Sequence, residues 1–203
     1  LCPSKAITEI PRSVGTVESG YGYAKNTGRE NSAALSNGPL GKFQFSHGVL
    51  NPGEALAPPI IGQVKDKAIS DGTVIIDTPP GTSCSMVESV RGTDFCLLVT
   101  EPTPFGLHDL GLAVDALAKL GIPCGVVINR SDLGDSGVRQ YCRDKSIPVL
   151  LEIPLDRKIA ELYAKGIPLV TGSEEYSRMF SLLLECVIDE AIRGKTNSEQ
   201  GGV

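Results

Sequence analysis

The residues best suited to chemistry in this sequence sit just past the ends of short apolar runs. Val74-Ile75-Ile76 leads into Asp77, which is followed by Thr78-Pro79-Pro80-Gly81-Thr82. An aspartate at a strand tip can hold hydrated Mg²⁺ beside a nucleotide. The two prolines stiffen the turn, and a glycine without Cβ at Gly81 lets a backbone N–H come close to a phosphate. The same spacing also suits an aspartate that only caps the turn, and both readings stand at this point. A second such place is Asn129-Arg130-Ser131-Asp132, after the run Cys124-Gly125-Val126-Val127-Ile128. The amide of Asn129 carries both donors and acceptors and can pair with a purine edge, or it can brace the turn. The string also looks superficially like the guanine-reading NKxD motif, so a guanine-selecting role for Asp132 is open. A third place is Cys2, followed by Pro3, a thiol that could ligate a metal or simply be free.

The elements that must carry these groups follow from the apolar pattern. Val74–Ile76, Phe95–Val99, Cys124–Ile128 and Val149–Leu151 are short continuous apolar runs separated by helix-like segments. Runs of that kind are expected of parallel strands covered on both faces, and ligands of such sheets bind beyond the carboxyl ends of the strands. Leu107–Leu120 reads as a helix on the sheet, with His108, Asp115 and Lys119 on its solvent stripe. A helix after Asp156 has both ends written in: Asp156 caps it, Gly166 takes the left-handed position and Pro168 forbids continuation. Glu175–Arg193 is an amphipathic helix that docks on the core through Phe180, Leu183, Leu184, Val187, Ile188 and Ala191. Lys42–His47 alternates aromatic and polar side chains, as a half-buried strand does, which places His47 at a strand end.

Composition narrows the classes. The 203 residues favour one domain. With 19 basic and 24 acidic residues, the net charge of −5 offers no footprint for nucleic acid. No apolar run approaches the roughly 20 residues needed to cross a bilayer, and there is no order of residues like a signal peptide. The six cysteines are widely spaced, unlike a secreted disulfide framework, so a reducing, cytoplasmic setting is expected. Cys96, Cys124 and Cys186 read as buried packing residues, and Cys142 lies on a helix. The chain opens on Leu1 and reads as a segment of a longer coding sequence. Lys65 and Lys67 read as a solvated helix face, and Glu54 either faces a ligand or favours a helix start.

Asp77–Cys84 (DTPPGTSC) resembles the switch II segment of MinD/ParA-type ATPases, especially the branch related to iron–sulfur carrier ATPases. Val99–Leu110 is similar to that family's next strand and helix start, Val126–Asp132 to its base-recognition loop, and Ile153–Val170 to its closing segment. Leu1–Ile7 (LCPSKAI) resembles the end of a bacterial ferredoxin motif, and Leu50–Ala55 a stretch that follows such an insert in MinD-like ATPases.

The resemblance implies a P-loop NTPase-like, doubly wound, mostly parallel α/β sheet that is incomplete at its N-terminus. Its segments are 1–19, the end of a ferredoxin-type insert and its exit strand; 20–41, a flexible connector; 42–193, the C-terminal part of the ATPase domain; and 194–203, a disordered tail. It implies that Asp77 organises Mg²⁺, Gly81 senses the γ-phosphate, Asn129 binds the base of ATP between Pro154 and Leu155, and Cys2 ligates a 4Fe–4S cluster completed by upstream cysteines. Packing accounts for Pro154 and Leu155 equally well. The intact protein is then expected to be a homodimeric ATPase serving an iron–sulfur client or redox partner, with no nucleic acid or membrane partner. The alternative is a non-catalytic iron–sulfur redox or scaffold protein on a P-loop frame. No G-x-x-x-x-G-K-[ST] loop is present, so these residues alone are not expected to hydrolyse ATP, and a sheet lacking its central strand is expected to be poorly stable.

Overall fold

A computed structural model describes residues 12–23, 42–69 and 72–200. Cys2, most of the ferredoxin-like segment and residues 24–41 of the expected connector 20–41 lie outside the described residues, while residues 20–23 of that connector belong to a strand. The chain divides into two compact units, not the single domain expected from its length: the first runs to Pro79 and includes Cys84–Ser89, the second comprises Pro80–Ser83 and everything from Val90.

In the first unit β1 (Gly15–Tyr23) pairs antiparallel with β2 (Lys42–Leu50), and α1 (Pro58–Lys65) packs on one face of the hairpin. That close approach explains two glycines. A Cβ on Gly15 would come within 2.3 Å of Ile60 Cδ1, and one on Gly48 within 2.2 Å of Ile60 Cγ2. The opposite face carries Phe43, Phe45 and Val49, all exposed. His47 is in the middle of β2, not at its end: the alternation continues through Val49, and the ladder pairs His47 with Glu18. Glu54 is drawn into this unit's scaffold, its carboxylate accepting from Leu56 N–H at 2.9 Å and from Arg12. Lys65 is likewise no solvated residue, since its ammonium donates to Glu88 O at 2.7 Å, within α2 (Cys84–Val90).

The expected strand at Val74–Ile76 is not formed. Residues 73–79 lie outside both sheets, and Val74 and Ile75 are 46% and 80% exposed. An apolar run becomes a strand only when a neighbour takes its N–H and C=O groups, and no ladder among the described residues does so.

The second unit fulfils the α/β expectation. β3 (Cys96–Thr100), β4 (Cys124–Asn129) and β5 (Val149–Ile153) form a parallel sheet in that order, joined by α3 (Pro104–Leu120) and α4 (Gly137–Asp144). Alternate residues of β4 face opposite ways. Val126 and Ile128 pack with Leu110 of α3 and with Val138 and Cys142 of α4. Val127 packs on the other side with Ile153, Tyr176 and Leu183, covered by α5 (Arg157–Ala164), α6 (Leu169–Gly172) and α7 (Glu174–Gln200). Both faces of β4 are thus buried, which is why it reads as an unbroken apolar run, whereas β3 leaves Val99 66% exposed.

The caps of α5 fall where expected, whereas α3 begins at Pro104, three residues before the expected Leu107, because Thr103 caps it. Thr103 accepts from Gly106 N–H, Gly121 closes α3 at φ 68°, and Asp156 accepts from Lys158 N–H. Pro168 does more than stop a helix, since it opens the short α6. The segment expected to be a disordered tail is helical through Gln200, because extending an existing helix costs no new nucleus. Gly194 is tolerated there by its contact with Pro123, whose ring a Cβ would meet at 3.1 Å. Leu184 and Cys186 are exposed, not buried, since α7 turns Tyr176, Met179 and Leu183 to the sheet. Among the described residues, Cys142 is the fully buried cysteine.

Candidate functional site

The carboxyl ends of the second unit's strands are tied together by their own loops. β3 ends in Thr100, and the following Pro102 is fully buried. Its carbonyl accepts from Asp135 N–H at 3.3 Å, and Gly134, at φ 74°, lies so close that a Cβ would sit 1.7 Å from the same oxygen. Only glycine permits that approach. Arg130 takes a left-handed backbone at φ 49°, a conformation that costs a non-glycine residue about 1 kcal/mol and tends to occur where function requires it. Its guanidinium Nε lies 3.5 Å from Glu101 Oε1, linking the loops after β3 and β4.

The loops after β4 and β5 are joined more tightly. Asn129 and Ile153 are register partners, and Ser131 N–H extends the ladder by donating to Ile153 O at 2.9 Å. Asp132 Oδ1 accepts from Leu155 N–H at 2.6 Å. Arg139 of α4 completes the brace. Its Nη2 donates to Ser131 O at 2.7 Å, while Nε and Nη2 hold Glu152 of β5 at 2.9 and 2.6 Å. That hydrogen bond pulls the Glu152 carboxyl below its ordinary range and raises Arg139, so the two directions agree.

Asn129 is half-buried at the carboxyl end of β4, and Pro154 and Leu155 are both exposed, Leu155 at 54%. Packing therefore does not account for Pro154 and Leu155. The turn after β4 is closed by the backbone bond from Leu133 N–H to Arg130 O, while Ser131 N–H donates across to Ile153 O. Beyond Leu155, Asp156 takes Lys158 N–H on one oxygen and the Tyr176 hydroxyl on the other, at 2.8 and 2.9 Å. These bonds lower the Asp156 carboxyl, the backbone one most, while burial and then Asp156 push Tyr176 up to about 12.

Asp77 and Gly81 belong to different compact units, Asp77 to the first and Gly81, with Asn129, Pro154 and Leu155, to the second. Asp77 is exposed. Gly81 has φ 89°, a conformation natural to glycine. Among the described residues no group of three or more His, Cys, Asp or Glu side chains is arranged for a metal. Burial keeps Cys96, Cys124 and Cys142 as thiols, Cys96 pushed up to about 11 by desolvation and then by Cys124. Cys2, the expected ligand, is outside the described residues.

Sequence reasoning passed over Arg139, Glu152 and Tyr176. Glu152 did leave a signal, since it is the one acid inside the apolar run Val149–Ile153 and so needed a cation at the sheet's edge. Among the described residues no helix is long and apolar enough to cross a membrane.

No family model matches the chain. It is similar to an uncharacterized protein of Methanocaldococcus jannaschii, 29% identical over 176 residues that cover 82% of this chain and 62% of the relative. An iron–sulfur cluster carrier protein of the same organism is 26% identical over 225 aligned positions, covering 90% of this chain and 77% of that protein. An iron–sulfur cluster carrier protein of Pyrococcus horikoshii is 30% identical over 127 residues, covering 55% and 42%. The chain thus spans less than two thirds of the length of the first and third of these relatives.

Proposed function

We propose that this chain is the base-binding and switch portion of a MinD/ParA-type ATPase that handles iron–sulfur clusters as cargo, working as a homodimer in a reducing cytoplasm. The observation that carries the reading is the braced mouth at the carboxyl ends of β3, β4 and β5, with half-buried Asn129 beside exposed Pro154 and Leu155. This is where open α/β sheets take their ligands. The names of the iron–sulfur carrier relatives support the choice of cargo.

In this reading the amide of Asn129 pairs with the adenine edge of ATP, and Pro154 and Leu155 flank its faces. The Asp77 carboxylate orients Mg²⁺, whose charge offsets that of the β- and γ-phosphates. Gly81 N–H reaches the γ-phosphate, so the proline turn senses whether that group is present. Cys2 is assigned to cluster ligation together with thiolates outside these 203 residues, as is the phosphate-binding loop with its lysine. The client that accepts the cluster docks on the intact protein.

The test uses the protein at its full natural length. Asp77→Ala is expected to lower Mg²⁺-dependent ATP hydrolysis by about a hundredfold or more, with unchanged circular dichroism. Hydrolysis at the wild-type rate would remove Asp77 from the site.

A further inference from the structure

The string Asn129-Arg130-Ser131-Asp132 places an aspartate where a guanine reader would carry one. To read guanine, a carboxylate must offer its oxygens to two N–H groups on the base. In this fold Asp132 Oδ1 is already occupied by Leu155 N–H, at 2.6 Å. The bond spans from the loop after β4 to the loop after β5, and its donor is the backbone of the residue assigned to one face of the base.

Its neighbours are arranged to keep it there. Ser131, the residue before Asp132, is held on both sides, its N–H by Ile153 O and its carbonyl by Arg139. Glu152, the residue before Ile153, is gripped by the same guanidinium. Asp156, the residue after Leu155, is anchored to Lys158 N–H and Tyr176. The exposed Pro154-Leu155 step is therefore fixed at both ends, and Asp132 supplies the bond in its middle. Without that bond, Leu155 N–H would turn to water and the loop could adopt several shapes, so a ligand would have to order it on binding.

We propose that Asp132 is a positioning residue: it reads no base itself, but holds the Pro154-Leu155 step in the shape that receives a purine beside Asn129. The proposal rests on the nucleotide-binding reading above. Two consequences separate it from guanine recognition. The effect of removing Asp132 is the same for adenine and guanine nucleotides, and only an acceptor oxygen is needed, so asparagine replaces it.

Binding of the fluorescent N-methylanthraniloyl derivatives of ATP, GTP and XTP is measured on the full-length protein and on Asp132→Ala and Asp132→Asn. Asp132→Ala is expected to weaken the ATP and GTP derivatives by a similar factor, about five- to tenfold, as the loss of one ordinary hydrogen bond does. Asp132→Asn is expected to stay within about twofold of wild type for both. Amide hydrogen exchange at Leu155 is expected to accelerate in Asp132→Ala and to remain slow in Asp132→Asn. A gain of XTP binding in Asp132→Asn would assign the carboxylate to the base and overturn the proposal. So would unchanged affinities in Asp132→Ala with faster Leu155 exchange. Should Asp132→Ala fail to fold, a folded Asp132→Asn with weakened ATP binding is enough to reject the proposal, and wild-type-like binding supports it. A wild-type protein that binds none of the derivatives overturns the nucleotide reading itself, and this proposal with it, while slow Leu155 exchange would still report the bond.

Discussion

Val126-Val127-Ile128 and Val74-Ile75-Ile76 are almost the same tripeptide, yet one forms the centre of a sheet and the other lies outside any ladder. Ile128 is 0% exposed and Ile75 80%. β-Branched side chains favour extended backbone in both, so intrinsic preference does not separate them. Partners do. β4 has β3 on one side and β5 on the other, with helices over each face, whereas 73–79 has no ladder partner among the described residues. Strand formation is a property of the neighbours as much as of the run itself.

The largest expected effect tests that contrast directly. Ile128→Ala should destabilise the second unit by about 2–5 kcal/mol, because a fully buried aliphatic side chain leaves a cavity. Ile75→Ala should change stability by no more than about 0.5 kcal/mol. Urea unfolding followed by circular dichroism measures both. A cost for Ile75→Ala comparable with that of Ile128→Ala would mean that Val74–Ile76 is buried in solution.

A smaller effect contrasts two arginines. Arg139 braces Glu152 and Ser131 O between strand-end loops, while Arg157, on the surface of α5, meets Glu161 one turn on with a side chain that is 92% exposed. The Arg139–Glu152 pair is itself partly exposed, so water and salt hold its ionic share below about 1 kcal/mol. The bond to Ser131 O adds about as much again. Arg139→Ala should therefore lower unfolding stability by about 1–2 kcal/mol and Arg157→Ala by less than about 0.5 kcal/mol. Equal losses would show that Arg139 is no brace.

Local signals made much of the second unit legible. Three unbroken apolar runs became β3, β4 and β5. Asp156 caps α5 and Gly166 takes the left-handed position after it, as their chemistry requires. What was not legible depends on groups distant in sequence. Nothing near Val74 announces whether a neighbouring strand will accept its backbone. His47 reads as a strand end because the aromatic alternation stops at Phe45, but the ladder with β1 carries β2 on to Leu50. In the candidate site, Asn129 could be singled out from its position after an apolar run, whereas Pro154 and Leu155 rested on the resemblance of Ile153–Val170 to the closing segment of MinD/ParA-type ATPases. The clamp of Asp132 on Leu155, across 23 residues of sequence, and the reach of Arg139 to Glu152, across 13, could not.

The smallest effect distinguishes the two ends of the loop after β5 by pH. Tyr176 is buried and donates to Asp156, while Glu152, on the strand side of the loop, depends on Arg139. Both carboxyls are lowered in the folded protein, so each contributes stability that is complete above the ordinary carboxylate range and lost as the pH falls through the folded value. Tyr176 is raised from 10.0 to about 12, so its contribution is present below the unfolded value and lost as the pH climbs through the folded one. Tyr176→Phe removes the hydroxyl bond that is the second of the causes holding Asp156 down, and leaves Glu152 untouched. Its cost should be about 1 kcal/mol near neutrality. That difference from wild type should shrink on the acid side as Asp156 takes up its proton, and again on the strongly alkaline side. Thermal unfolding across pH checks this. If wild type and Tyr176→Phe keep a constant separation from acid to alkaline pH, the hydroxyl contributes packing alone and the Asp156 end of the loop is not held by charge.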